Sequence, residues 1–586
     1  AAGSFGCGSD DASTAPACAE RAPAATLTCL AAVGEREAAC VAETGSACAA
    51  DDAAVQAALA ALDADVAGAC KQGEFGALST DAVRGRLAAA CRADARALAW
   101  RVYGGPQGAA WAKADAAGRS CLTATHAAAR ALLRERVEQV VACAAATGGC
   151  DESALATQRA EADAAAKDAI DAACPDLAKL LPQDAQRLVG DVAEQADCVA
   201  ATVLPTPSGL PLRCGAAAAE IAPPRGQWSE VVLDGTRWGT KCGDGSEYAF
   251  WIRPAPAGVR LDRVVVALQG GGVCLFENDC TAKLQSAPQL FSARGADDVP
   301  LAVGLASDDP KESFLHDWTM VYLPYCTQDV FAGGGVDEAL GAITVPRYGS
   351  VNLRAAVRVV RDWLWRELDD AGGDGYRPDA VVAFFGGFSA GGYGALYNYH
   401  WMLDTLGWPR TIGFPDGGLA LDNGQALGVG GLGAVKIPAW GMRPLLPPYC
   451  FAGPCSSGRV MLEAISPRLL QVPEQRILML SNQYDETQRK DAFFPDTPSF
   501  VNAMRKMACE TRELPGVAWY LASESNESIH VISPRTAFWT GAVAGQTLND
   551  FFATAVDAPT QLQSRFEEGD FVQKFPGVEA FPCTPP

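Results

Sequence analysis

Residues 380 to 395 read Ala-Val-Val-Ala-Phe-Phe-Gly-Gly-Phe-Ser-Ala-Gly-Gly-Tyr-Gly-Ala, an apolar strand running into a G-x-S-x-G turn and then a helix. A serine held at such an elbow is a nucleophile candidate. The chain reverses so sharply there that the positions two before and two after the serine must be nearly free of side chain, and Gly387 and Gly391 meet that demand. The hydroxyl of Ser389 would project from a strained turn, with the N–H groups of the next helix aimed at negative charge forming nearby. Glycine supplies 59 of 586 residues, so the five-residue pattern alone is weak. Its setting adds weight, because Val381, Val382, Phe384 and Phe385 form the continuous apolar run of a strand buried on both faces.

A nucleophilic serine needs a base, and the chain holds four histidines. His126 lies in an alanine-rich helical region, and His316 precedes the apolar segment 318–323. His400 stands eleven residues after Ser389 on the helix leaving the elbow, about 16 Å away at 1.5 Å per residue. His530, in a polar loop after the strand-like Gly516–Leu521, is left as the candidate base. The carboxylate that would orient it should end a strand between serine and histidine. Arg476-Ile-Leu-Met-Leu480 opens into a loop carrying Asp485, with Glu486, Asp491 and Asp496 as rivals. The order Ser389, Asp485, His530 is that of α/β-hydrolases.

An acyl-transfer site also needs oxyanion donors. The strand ending at Leu268 leads into Gln269-Gly-Gly-Gly-Val-Cys274, where glycines let backbone N–H groups approach a substrate oxygen. Gly271 or Gly272, with the N–H of Ala390, are the oxyanion candidates. No phosphate-cradling glycine motif is present, the cysteines lack paired C-x2-C spacing, and the histidines are too scattered for zinc, so neither a metal nor an organic cofactor is expected.

These segments resemble the pectin acetylesterase and Notum family of serine hydrolases. Leu268-Gln-Gly-Gly-Gly-Val-Cys274 is similar to the family's LEGGGWC segment, with Cys280 at the distance of its paired cysteine. Tyr325–Gly333 is similar to YCDGxxFxG, and Gly387-Phe-Ser-Ala-Gly-Gly392 to its G-C-S-A-G-G nucleophile. Gly413–Asp422 is similar to the DAGFFLD region, and 481–485 and 528–530 to the segments carrying acid and histidine. Val273 replaces a tryptophan of plant-type members, Phe388 replaces the cysteine before the nucleophile, and the cysteine following the family's histidine is missing. The first two departures mark Val273 and Phe388 as substrate-pocket candidates. The resemblance implies a carboxylic-ester hydrolase acting on an acylated carbohydrate, protein or small ester. In its mechanism His530 takes the Ser389 proton, the alcohol leaves, and water releases the acid from the acyl-enzyme. Two other classes stay open: a lipase-like or polyester hydrolase on the same scaffold, and a non-enzymatic binding platform built on a degenerate hydrolase domain.

The 21 cysteines imply a disulfide framework and hence a secreted or extracytoplasmic setting. Cys274 with Cys280, and Cys450 with Cys455, are spaced as loop staples. Cys7, near the N-terminus, is a candidate for the odd thiol or a lipid attachment. A leader that is missing or processed away is expected, and no run of 18 apolar residues predicts a transmembrane helix. A net charge of −22 argues against nucleic acid and polyanionic partners. The sequon Asn526-Glu-Ser528, four residues before His530, is expected to be unoccupied.

The elements that position these residues fall into two regions. Residues 223–586 alternate strand and helix, which predicts an α/β-hydrolase-like domain with a doubly wound, mainly parallel sheet. Its clearest strands are 264–268, 320–323, 381–385 and 477–480; 350–364 is an amphipathic helix, and the Gly- and Pro-rich stretch 424–472 is expected to cap the site. Residues 21–204, after a flexible segment 1–20, predict an all-α domain stapled by disulfides. There Asp51 would cap a helix burying Val55, Leu59, Leu62, Val66 and Cys70. A second helix would bury Val83, Leu87, Cys91, Leu98 and Val102, and a third Leu133, Val137 and Val140. The partner of this helical region is not legible, and residues 205–222 are expected to be a Pro-rich linker.

Overall fold

The computed structural model describes residues 17–583 apart from 72, 147, 205–209, 296–297, 299, 422–435, 437, 453–467, 470–471, 473–474, 492–493, 524–528 and 568–574. Cys7, Cys455, the sequon and most of the expected cap lie outside the described residues.

The described residues from 17 to 203 form helices, the longer ones being α1 (Ala17–Thr44), α2 (Ala53–Ala69), α3 (Thr80–Tyr103), α4 (Ala116–Ala144), α5 (Glu152–Ala173) and α6 (Ala185–Val203). Their apolar stripes face inward: Val55, Leu59, Leu62 and Val66 of α2, and Val83, Leu87, Cys91, Leu98 and Val102 of α3, are buried. The N-cap of α2 is Asp52 rather than Asp51. Its carboxylate accepts from the N–H of Ala54 and Val55, and Arg36 binds the same carboxylate at 3.1 Å, a partner that only the tertiary fold supplies. Alanine buries little area, and cross-links compensate by restricting the unfolded chain. Cys18–Cys70, Cys29–Cys91, Cys40–Cys48, Cys121–Cys174 and Cys143–Cys150 join helices to one another or to their connections.

The α/β part is built on a sheet of nine strands: β1 (Ser229–Val232), β2 (Ala249–Arg253), β3 (Arg263–Leu268), β4 (Thr319–Leu323), β5 (Val382–Phe388), β6 (Arg410–Asp416), β7 (Arg476–Asn482), β8 (Val517–Ala522) and β9 (Arg565–Phe566). They lie in the order β1-β2-β4-β3-β5-β6-β7-β8-β9. β1–β2 and β2–β4 are antiparallel, and every pair from β4–β3 to β8–β9 is parallel. Along β3, Val264, Val266 and Leu268 enter one apolar layer while Val265 and Ala267 enter the other. That alternation under two covered faces explains why the strand reads as an unbroken apolar run. Helices α7 (Gly349–Ala371) and α8 (Ala390–Asp404) cover the first face, and Phe538, Phe551 and Phe552 of two later helices cover the second. The doubly wound, α/β-hydrolase-like fold expected from the sequence is present. β5 runs three residues beyond the expected 381–385, carrying Gly386, Gly387 and Phe388 up to the serine itself.

The helical region packs on α7 and α8. Its core and the first face of the sheet form one continuous apolar cluster. Residues 210–222 join in: Cys214 is bonded to Cys198, Arg213 N–H donates to Asp197 at 3.0 Å, and Gly215 N–H donates to Asp362 at 2.9 Å. Asp369 of α7 accepts from Arg86 of α3 at 2.9 Å, from the Trp365 indole at 3.0 Å and from Tyr376 N–H at 2.8 Å. Arg86, only 4% exposed, lies over the Trp365 ring at 4.8 Å. Removing the half-buried Asp369 strands the buried Arg86 charge. Asp369→Ala should therefore destabilise the protein by about 3 kcal/mol, read as a lower urea midpoint with the transition slope unchanged.

Candidate active site

The elbow is set by close packing between β3 and the turn. A Cβ on Gly387 would lie 2.5 Å from the Cβ of Leu268, and one on Gly391 would lie 2.8 Å from the same atom. Both positions must be bare. Between them Ser389 takes φ 55°, ψ −115°, a conformation that costs a non-glycine residue about 1–3 kcal/mol unless its surroundings enforce it. Ser389 N–H is held at 2.8 Å by the carbonyl of Asp416 on the neighbouring β6, and its own carbonyl accepts from Gly392 N–H at 2.9 Å. The Ser389 side chain is half-buried at the N-terminus of α8.

Asp485 follows β7 and is fully buried. It accepts Gln488 N–H at 2.8 Å and faces His530, whose Nδ1 lies 2.9 and 2.8 Å from its two oxygens. Burial raises the Asp485 carboxyl above the usual range, against the lowering influence of the His530 contact. Two of the rivals are engaged elsewhere: Glu486 binds Arg489 at 2.8 Å, and Asp496 caps a helix at Ser499 N–H. Of the other histidines, His126 is buried in the helical region, where desolvation pushes it down to about 3, and His316 bonds the Ser313 carbonyl at 3.0 Å. His400 is buried on α8 with its pKa held well below the ordinary value, first by desolvation and then by Arg354.

The serine and histidine segments meet across Gly417-Gly418, which follow β6. A Cβ on Gly418 would run into the Ser389 carbonyl, and one on Gly417 into the His530 carbonyl. Asp416, just before them, escaped the sequence reading. It is fully buried, and its Oδ2 accepts from Ile532 N–H at 2.9 Å, Ser533 N–H at 2.7 Å and the Ser533 hydroxyl at 2.6 Å. One residue therefore holds the elbow with its carbonyl and the histidine loop with its carboxylate. Burial raises its pKa to about 6, against the lowering effect of those donors. Its only sequence signal is position: a carboxylate ending an apolar strand ahead of two glycines.

The glycine loop after β3 borders the elbow. A Cβ on Gly270 would sit 3.3 Å from the Cβ of Ser389. Gly271 and Gly272 have φ of 149° and 71°, and Gly271 faces the Tyr325 ring too closely for a side chain. Lys283 Nζ donates to the Gly271 carbonyl at 3.2 Å and to Gln328 Oε1 at 2.8 Å. The disulfide Cys274–Cys280 closes the loop's far end, as the spacing predicts. Ala390, in the first turn of α8, has an N–H with no intrahelical acceptor. Arg347, fully buried and also missed in the sequence, braces this region by donating to the carbonyls of Thr327, Gln328 and Cys274 at 3.2, 2.9 and 3.1 Å. Val273 and Phe388 part company: Val273 is half-buried against the first apolar layer, while Phe388, 5% exposed, belongs to the second.

Residues 227–436 match the family model Pectinacetylesterase. The palmitoleoyl-protein carboxylesterase notum1 of Xenopus laevis is 29% identical over 191 residues, 31% of this chain and 36% of its own. The Homo sapiens palmitoleoyl-protein carboxylesterase NOTUM is 29% identical over 190 residues, 31% of this chain and 35% of its own. That of Schmidtea mediterranea is 28% identical over 159 residues, 27% of each chain. The chain thus spans about a third of the length of the first of these relatives. Ser389 and the glycine loop fall inside the family match, whereas Asp485 and His530 lie beyond it and are joined by their hydrogen bond. The resemblance seen in the motifs stands: residues 227–436 carry a pectinacetylesterase domain related to the Notum carboxylesterases.

Proposed function

We propose that this chain is a serine carboxylesterase that deacylates a hydroxyl-bearing carbohydrate, protein or small ester, with Ser389, His530 and Asp485 as its triad. The observation that carries this reading is the His530 Nδ1 to Asp485 hydrogen bond at 2.8 Å, beside a serine held at φ 55° between two obligatory glycines. Ser389 Oγ attacks the ester carbonyl and gives its proton to His530 Nε2, while Asp485 fixes the tautomer and stabilises the imidazolium. Backbone N–H groups of Gly271, Gly272 and Ala390 receive the oxyanion. The alcohol departs with the proton from His530. Water, deprotonated by the same imidazole, then cleaves the acyl-enzyme to the acid and restores Ser389.

Disulfides distributed through both regions support an oxidising, extracytoplasmic setting. Among the described residues no helix is long and apolar enough to cross a membrane. The relatives' names speak of a palmitoleoyl-protein substrate, and Val273, where plant-type members carry tryptophan, supports a second reading in which the acyl pocket takes long chains. Esters of p-nitrophenol from two to sixteen carbons separate the two readings by the chain length at which kcat/KM peaks. Ser389→Ala should lose at least about 10⁴-fold in kcat and escape labelling by an active-serine phosphonate. Undiminished turnover would remove Ser389 from the mechanism and favour the binding-platform reading.

Asp416 positions the histidine loop and does not touch the reacting atoms. Asp416→Ala should lower kcat more than it raises KM, and Asp416→Asn, which keeps an acceptor for the Ile532 and Ser533 donors, should recover much of the loss. Its carboxyl titrates at about 6 in the fold against 3.8 when free, so the folded state favours the protonated form. The stability this group contributes is complete below the free value and is lost as pH rises through 6, a change of about 3 kcal/mol. Denaturation measured from pH 3.5 to 7.5 should show a smaller decline in Asp416→Asn than in the wild type, the remainder belonging to groups such as Asp94, which burial also raises to about 6.

A further inference from the structure

Between the helical region and the α/β part lies a cavity of about 50 Å³, lined by Arg101, Arg187, Arg354, Arg358, His400 and Trp401 among others. Four guanidinium groups meet there. Two of them are neutralised: Arg187 pairs with Asp191 at 3.5 Å, and Arg358 with Glu194 at 2.7 Å. Asp404, which also lines the cavity, is taken by Arg468 at 2.8 Å.

Arg101 and Arg354 remain. They are 8% and 6% exposed, and among the described residues neither has a carboxylate within ion-pairing distance; Asp94 and Asp404 act on Arg101, and Asp191 on Arg354, only from farther off. Arg101 donates to the neutral Gln195 Oε1 at 3.1 Å, and Arg354 to Asn398 Oδ1 and the Leu445 carbonyl, both at 3.1 Å. The Trp401 ring, 5.4 Å from Arg354 and 5.3 Å from Arg358, softens both charges without cancelling either. His400 adds no cation, since burial and Arg354 keep it neutral. Burial lowers Arg354 itself to about 9, a mark of unfavourable solvation of its charge. Buried charges are ordinarily paired, because an isolated one forfeits its hydration without compensation.

We propose that this cavity is a binding site for one small oxyanion, a carboxylate or a phosphate, gripped by Arg101 from the helical region and Arg354 from the α/β part. Its size admits a small anion and excludes an acyl chain, and its lining offers charge-assisted donors on both sides. A bound anion would supply the missing countercharge and tie the two regions together.

The test uses the full chain, with thermal unfolding and calorimetric titration in sodium acetate, sodium phosphate and sodium chloride at equal ionic strength. The wild type should show saturable stabilisation by acetate or phosphate, and the stronger of the two identifies the natural class. Arg354→Met and Arg101→Gln should each weaken that binding at least about tenfold, the worth of a lost charge-assisted contact. Without added anion, Arg354→Met should melt no lower than the wild type, because an uncompensated charge has been removed. If that variant does not fold, Arg101→Gln carries the comparison. Equal responses to all three salts, no response in the wild type, or unchanged affinity in the variants would overturn the proposal.

Discussion

The site depends on one steric constraint: the end of β3 presses so closely on the turn after β5 that Gly387 and Gly391 must both lack a Cβ. Leu268 is paired directly with Gly387 in the parallel ladder, so this contact is fixed by strand register rather than by the turn's own preference. Given that register, the chain can reverse only by passing Ser389 through positive φ. The strain is localised at a single residue and is opposed by the Asp416 carbonyl, which bonds its N–H, and by α8, which begins immediately afterwards. A free loop would relax such a conformation; a loop clamped between two strands of one sheet does not.

The same sheet brings distant residues together. β5, β6, β7 and β8 are consecutive neighbours, so the segments leaving their C-terminal ends carry Ser389, Asp416, Asp485 and His530 in one row. Asp485 and His530 are 45 residues apart in sequence and share a hydrogen bond. Strand β6, between serine and acid, contributes no member of the proposed triad. It supplies instead Asp416 and the diglycine that lets the two flanking segments approach. Asp416 positions the histidine segment through backbone N–H groups at Ile532 and Ser533, while Asp485 holds the ring at Nδ1.

What could be read in the sequence followed from short-range rules. The elbow, the buried strands and the inward stripes of α2 and α3 each declare themselves within about a dozen residues, by glycine placement or by apolar period. Long-range pairing is less visible. Asp416 looks like an ordinary turn acid, and Arg347 like any surface cation, because most of their partners are main-chain groups assembled from elsewhere in the fold. Asp51 and Asp52 are equally good caps on local grounds; Arg36, sixteen residues away, favours the second. The prolines of 205–222 suggest a linker, and nothing local discloses that Cys214 pairs with Cys198 or that Gly215 bonds Asp362.

The helical region makes sense as a layer that shares its core with its neighbour. Alanine-rich helices have few large side chains to bury, so disulfides hold them to one another while bulky groups arrive from the α/β part. Trp365 stacks on Arg86, and Tyr449 packs so near Gly105 that a Cβ there would lie 2.5 Å from its ring. The continuous apolar cluster running from α1 to the first face of the sheet follows from that division of labour. Burial of charge is its consequence. Joining two regions over a surface this rich in arginine sequesters guanidinium groups from both, and those without an ion-paired carboxylate lean on neutral acceptors and on the Trp401 ring, which is the setting in which a bound anion would gain most.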